Sequence, residues 1–171
     1  MNQGSELRQD LVSGDWIIIS PGREDRPDQF GFKASKRKKA PVKGCPFENP
    51  AKSGNKTVIS YPDSKNWEIQ VLENKYPIVT HKDVCGVVSS HGPYATFPGA
   101  GHHDVVVTRD HNKNLPELSL EKANLIFKTF RERYLTLYND KCIDYVAIIQ
   151  NCGPLAGASI YHPHYQIMAV P

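Results

Sequence analysis

His162, His164 and Gln166 stand at alternate positions in YHPHYQIMAV, and the apolar run 167–170, with Tyr165 before it, reads as a strand. Alternate side chains leave a strand on one face. The three would therefore form a polar row. A single strand histidine usually serves structure, but two at i and i+2 with a polar third member ask for a chemical role. Just upstream, NCGPLAGAS (151–159) is a loop of small residues containing Gly153, Gly157 and Ser159. Such a loop lets backbone N–H groups approach an anion, although a plain turn between strands has the same composition.

Together the loop and the row suggest phosphoryl or nucleotidyl chemistry. A neutral imidazole attacks phosphorus when its other nitrogen is held as an N–H donor, and a neighbouring carbonyl is a natural acceptor for that proton. A glutamine two residues on can donate its amide N–H to a non-bridging oxygen. It cannot act as a general acid near neutral pH, so the row favours transfer over hydrolysis.

These residues need a scaffold. Strands are predicted within LVSGDWIIIS (11–20), WEIQVL (67–72), HDVVVT (103–108), YVAIIQ (145–150) and the closing HYQIMAV. One long helix is expected over about 116–138, with Ser119 as N-cap and Glu121 in the favoured first turn. Leu120, Ala123, Phe127, Phe130, Tyr134 and Leu137 recur at three- and four-residue steps, as a buried stripe does. Strands that follow one another with a single helix predict an α+β class with a mainly antiparallel sheet.

A length of 171 residues suits one domain with a real core, and 39% hydrophobic with 23% charged residues argues against disorder. The net charge of +3 fits an anionic small substrate and does not call for nucleic acid. The basic stretch 33–44 (KASKRKKAPVKG) has no interleaved aromatics for base stacking, so it reads as a solvated loop. Cys45, Cys85, Cys142 and Cys152 form no CxxC pair and are expected to be reduced rather than bridged. With a polar N-terminus and no apolar run of about 18 residues, a cytoplasmic protein with no membrane partner is expected.

NCGPLAGASIYHPHYQ resembles the active-site segment of the galactose-1-phosphate uridylyltransferase family, a branch of the histidine-triad superfamily. Three more segments match in order: GDWIIISPGREDRP, VLENKYPIV and RDHNKNLPELS. The resemblance spans essentially the whole chain and implies the fold of the family's N-terminal half, a histidine-triad-like nucleotidyltransferase domain over 1–171.

The resemblance also implies roles. His164 becomes the nucleophile that carries a nucleoside monophosphate, Gln166 the residue bonded to the transferred phosphoryl group, and Ser159 a neighbour of the phosphates. Arg23, Arg26, Asn74, Tyr76, Asn151 and Gly157 fall on substrate-binding positions. Lys75 stands where an acidic residue is common in the family. A structural zinc is implied at Cys45, His111 and His162, with Glu48 replacing the family's second cysteine; a glutamate can ligate zinc, and loss of the metal is the alternative. His81, His91, His102 and His103 match no family position and read as surface or structural residues.

The implied reaction moves UMP from UDP-glucose to galactose 1-phosphate by a ping-pong route. The alternatives are an adenylyltransferase or phosphorylase acting on ADP-glucose or a dinucleoside polyphosphate, and a non-catalytic nucleotide- or metal-binding half-domain. Family enzymes have two related halves and work as dimers, so a homodimer or a complementary C-terminal half is the expected partner.

Overall fold

The computed structural model describes residues 4–23, 39–82 and 84–171. Arg26 and positions 33–38 of the basic stretch lie outside the described residues. Among the described residues nine strands form two antiparallel sheets. The smaller sheet contains β1 (Glu6–Gln9), β2 (Trp16–Ile19), β5 (Ser89–His91) and β6 (Tyr94–Pro98), in the order β2-β1-β6-β5. The larger contains β3 (Thr57–Tyr61), β4 (Ile69–Glu73), β7 (His102–Thr108), β8 (Tyr145–Ile149) and β9 (His164–Val170), in the order β3-β4-β7-β9-β8. The helix α1 (Leu120–Tyr138) covers one face of the larger sheet. The α+β class and the mainly antiparallel pairing are as the sequence predicts.

The pleat sorts side chains to two faces. Ile69 and Val71 of β4, Val106 of β7, and Tyr165, Ile167 and Ala169 of β9 pack against Ile126, Phe130 and Leu137 of α1. Leu72, Val105 and Val107 point the other way and pack with Phe47 and Trp67. A fully buried side chain of this size contributes about 1.5–3 kcal/mol, so the register of β4, β7 and β9 is fixed from both faces. A slip of one residue in β9 would exchange Tyr165 and Ile167 with His164 and Gln166.

The helix differs from its predicted form in two ways. It begins at Leu120, because Leu118 is extended and Ser119 caps the first turn by accepting the Lys122 N–H; the preceding 115–117 form a separate turn of 3-10 helix. The buried stripe is Ile126, Thr129, Phe130 and Leu137, while Leu120 and Phe127 are exposed. Phe130 and Leu137 of the predicted stripe are buried and Tyr134 packs against the core, but the face also includes polar side chains whose needs are met internally. Thr129 donates to the Leu125 carbonyl at 2.8 Å, and Arg133 Nε donates to the buried Asp104 Oδ2 at 2.6 Å.

The cysteine expectation is corrected in part. Cys85 and Cys142 form a disulfide across 57 positions, their Cα atoms 5.1 Å apart; only the folded chain brings them together, so no local spacing signals the pair. Cys45 and Cys152 carry free thiols. Among the described residues no helix is long and apolar enough to cross a membrane.

Candidate functional site

The expected row of three becomes a pair and a separate histidine. β9 starts at His164, because Pro163 has no N–H to extend the ladder and His162 therefore precedes the strand. His164 and Gln166 lie on the face away from α1, at the wall of a cavity of about 340 Å³. His162 is almost fully buried, at 1% exposure, in a different cluster.

The backbone fixes the protonation pattern of His164. Its Nδ1 lies 2.9 Å from the His162 carbonyl oxygen. A carbonyl only accepts, so Nδ1 carries the proton and Nε2 carries the lone pair. Phe47 packs against the ring, with centroids 5.1 Å apart. This phenylalanine also meets the edge of His162 at 5.9 Å, so one ring contacts both histidines.

Gln166 is held by a chain of oriented hydrogen bonds. The Ile78 N–H donates to His103 Nδ1 at 3.0 Å, which makes Nε2 the protonated nitrogen. His103 Nε2 then donates to Gln166 Oε1 at 3.0 Å. Gln166 Nε2 donates to Asn151 Oδ1 at 3.0 Å, and Asn151 Nδ2 donates to the Ala156 carbonyl at 2.7 Å. Each link sets the orientation of the next amide, leaving Gln166 with its second Nε2–H as a donor. His103, expected to be a surface or structural residue, is buried at 4% exposure and orients this glutamine. The signal for it was position alone: it sits in β7 opposite the β9 residues, one register step from the Asp104–Ile167 pair.

Arg23, Asn74, Tyr76, Asn151 and Ser159 join His164 and Gln166 around the cavity. The Arg23 guanidinium donates to the Tyr76 carbonyl, tying the segment after β2 to the segment after β4. Gly157 lines an adjoining hollow that shares Arg23, Asn151 and Gln166. No carboxylate lines the His164 cavity among the described residues, whereas Arg23 and Lys75 do. The wall therefore suits an anion. Ser53, Asn55 and Phe47 also line it and were not singled out in the sequence.

The small-residue loop is more inward-turned than expected. Gly153, at φ +78°, makes its first turn, and its carbonyl accepts the N–H groups of Ala156 and Ala158 at 3.2 and 3.1 Å. These two amides support the loop instead of facing the cavity.

Cys45, Glu48, His111 and His162 converge in a second cluster, with one ligand atom of each within 4.8 Å of the others. His162 Nε2 donates to the Thr108 carbonyl at 2.8 Å and His111 Nε2 donates to the Ala40 carbonyl at 3.0 Å. Both rings thus turn Nδ1 inward, 3.3 and 2.7 Å from Glu48 Oε1. Cys45 Sγ lies 3.6 Å from His162 Nδ1. Backbone carbonyls that fix the outer nitrogen are the usual support of metal-bound histidines. Burial pushes the Cys45 thiol up and holds the His162 imidazolium down, so a thiolate here needs a cation beside it. One sulfur, one carboxylate and two imidazoles fit a tetrahedral zinc ion.

Comparison with known proteins follows the same lines. The family model described as "Galactose-1-phosphate uridyl transferase, N-terminal domain" matches residues 1–171. ADP-glucose phosphorylase of Arabidopsis thaliana is 31% identical over 174 residues, an alignment covering 99% of this chain and 50% of that protein. Galactose-1-phosphate uridylyltransferase of Thermotoga maritima is 27% identical over 167 residues, covering 97% and 46% respectively. Among solved structures, the crystal structure of an ADP-glucose phosphorylase from Arabidopsis thaliana with bound ADP-glucose superposes with a TM-score of 0.62 at 28% identity, covering 99% of this chain and 50% of that one. The chain spans about half the length of the curated relatives it matches.

Proposed function

Because the chain belongs to the galactose-1-phosphate uridyl transferase family, whose N-terminal domain it matches over residues 1–171, we propose that it carries a nucleotidyl-transfer site with His164 as nucleophile. The observation that supports this most directly is the hydrogen bond from His164 Nδ1 to the His162 carbonyl, which puts the lone pair on Nε2. In the first half-reaction Nε2 attacks the α-phosphorus of a nucleoside diphosphate sugar. An N–P bond forms as the bond from that phosphorus to the bridging oxygen breaks, and sugar 1-phosphate leaves with the electron pair. Nε2 has no proton to lose, and Nδ1 keeps its own throughout. In the second half-reaction a phosphate oxygen of the acceptor attacks phosphorus and the neutral imidazole departs.

The remaining amide N–H of Gln166 donates to a non-bridging oxygen as charge builds there. Removing one such donor typically lowers the rate by about 10²–10³. Ser159 sits beside the phosphates. Arg23 and Lys75 supply positive charge, Asn74, Tyr76 and Asn151 shape the cavity, and Gly157 keeps the adjoining hollow open. Arg26 is proposed as the second arginine of the nucleotide site.

Zinc is proposed at Cys45, Glu48, His111 and His162. A closed set of four protein ligands suits a structural ion, which would fix the 45–48 turn to the residue before β9 and so support the carbonyl that holds His164.

Two donor nucleotides fit this chemistry. UDP-glucose, with galactose 1-phosphate as acceptor, is supported by the family's description. ADP-glucose is favoured by the 31% identity to the Arabidopsis phosphorylase across 99% of this chain. The rest of the substrate contacts are proposed to come from a complementary half or a second copy.

Single-turnover labelling tests both. The protein is incubated with UDP-glucose or ADP-glucose labelled at the α-phosphorus, and an acid-labile, base-stable adduct is sought. The expected result is an adduct with one of the two donors that disappears in His164→Ala. Folded protein that forms none with either donor overturns the proposal.

A further inference from the structure

Two lysines bordering the larger sheet meet carboxylates. Lys56 Nζ donates to Glu73 Oε1 at 2.6 Å, and Lys122 Nζ lies 2.7 Å from Asp110 Oδ2 and 3.1 Å from Glu68 Oε2. Lys75, two residues after Glu73, is different. It lines the His164 cavity, it is exposed, and it forms no hydrogen bond or ion pair with the described residues. Glu73, the nearest carboxylate in sequence, is committed to Lys56 and borders another hollow. The charge of Lys75 is therefore left for something that enters the cavity.

An exposed lysine is ordinarily a solvated point charge on a flexible stem. Here the backbone on both sides of it is fixed. The Asn74 N–H donates to the His103 carbonyl at 2.9 Å, and Asn74 Oδ1 accepts the Tyr76 N–H at 2.9 Å, closing a turn around Lys75. The Tyr76 carbonyl accepts from the Arg23 guanidinium, and the Ile78 N–H donates to His103 Nδ1 at 3.0 Å. A rigid turn thus carries the lysine to the cavity wall.

The sheet sets Lys75 apart from the histidine row. β7 lies between β4 and β9, so β4 and β9 are about 10 Å apart, two strand spacings. Glu73 pairs with Asp104, which pairs with Ile167; the end of β4 is already level with Ile167, past Gln166. His164 and Gln166, two residues apart on one strand face, can share a single phosphate. Lys75 approaches from two strands away and suits a different one.

Resting on the nucleotidyl-transfer reading, we propose that the cavity is a two-phosphate site: His164 and Gln166 take the phosphate that is transferred, and Lys75 takes a second phosphate of the same ligand. That second group belongs to the diphosphate chain or to the ribose. Both present the same anionic oxygens, which a compact ammonium with three donors recognises without demanding one orientation.

Equilibrium binding tests this without turnover. The ligands are the 5′-monophosphates, 5′-diphosphates and 2′,5′- and 3′,5′-bisphosphates of adenosine and uridine, with wild type, Lys75→Met and Lys75→Arg. Wild type should bind at least one two-phosphate ligand about 10–100-fold tighter than the 5′-monophosphate of the same base, the worth of one charge-assisted hydrogen bond. A diphosphate advantage puts Lys75 at the chain, and a bisphosphate advantage puts it at the ribose. Lys75→Met should remove that advantage while changing monophosphate affinity far less, and Lys75→Arg should keep most of it. Lys75 is exposed and has no partner among the described residues, so Lys75→Met should fold as wild type does. The proposal is overturned by a wild type with no two-phosphate advantage, or by an advantage that persists in folded Lys75→Met. Equal losses for mono- and two-phosphate ligands overturn it too, since Lys75 would then hold the transferred group. Adduct labelling reads His164 and this affinity difference reads Lys75, so failure of either is a separate result.

Discussion

His103 Nε2 donates to Gln166 Oε1 across 3.0 Å, from β7 to β9, and this bond decides which end of the glutamine amide faces the cavity. The acceptor end is consumed by the histidine, so only N–H is left to present. Without that bond the amide could turn its oxygen toward an anionic ligand.

Replacing His103 by phenylalanine keeps the volume and removes the orienting donor. The rate of nucleotidyl transfer should fall by about 10–100-fold, with a much smaller change in nucleotide affinity. Stability should fall by about 1–3 kcal/mol, because Gln166 Oε1 and the Ile78 N–H each lose a buried partner. Rapid-quench measurement of adduct formation beside equilibrium nucleotide binding separates the two effects. Equal losses in rate and affinity would show that His103 does not orient the glutamine.

Glu48 stands between His111 and His162, 2.7 and 3.3 Å from their Nδ1 atoms. Glu48→Ala should lower zinc affinity at the Cys45 cluster by at least about tenfold, by analogy with supporting residues of other zinc sites. Glu48→Cys should restore or exceed wild-type affinity, since a thiolate is an equally good zinc ligand. Zinc competition assays on the three proteins decide the point; an unchanged Glu48→Ala removes the carboxylate from the site.

Arg133 on α1 is the ionic partner of Asp104, which is 2% exposed. Arg133→Met should destabilise the fold by about 3–5 kcal/mol, because a buried carboxylate is left without its cation. The double variant Arg133→Met with Asp104→Asn should recover much of that loss. Chemical denaturation of the two single variants and the double variant measures the coupling, and simple additivity would show that the pair acts independently.

The Cys85–Cys142 bridge closes a loop across 57 positions. Loop-closure entropy predicts that reduction costs about 4 kcal/mol. Melting temperature should therefore drop on adding a thiol reductant, and Cys85→Ser should melt at the lower value with or without it. A reductant-insensitive wild type would mean that the bridge adds no stability.

The central strands and the cavity pair were legible because short-range pattern carries them. Val105, Val106 and Val107 announce β7, and His164 with Gln166 announces a polar face of β9. The polar strands were not legible: β1 is ELRQ and β5 is SSH, neither with an apolar run to mark it. The helix stripe was legible in part: Phe130 and Leu137 are buried and Tyr134 packs on the core, whereas Leu120 and Phe127 are exposed and the buried Thr129 is a member that hydrophobicity discounts. His103 and the Cys85–Cys142 pair depend on contacts distant in sequence. Spacing along the chain says nothing about them until the sheet register is known. The placement of His162 outside β9 was recoverable, since Pro163 cannot donate to a ladder.

In β9 the residues facing α1 (Tyr165, Ile167, Ala169) are buried, whereas His164 and Gln166 belong to the cavity. Heritable variation in this strand is therefore filtered by two separate criteria, interleaved one residue at a time. Changes at the odd-numbered positions are judged by whether the protein survives in the cell. Changes at His164 and Gln166 are judged by what the cavity holds. The cavity wall can be revised along this strand while the packing against α1 stays intact.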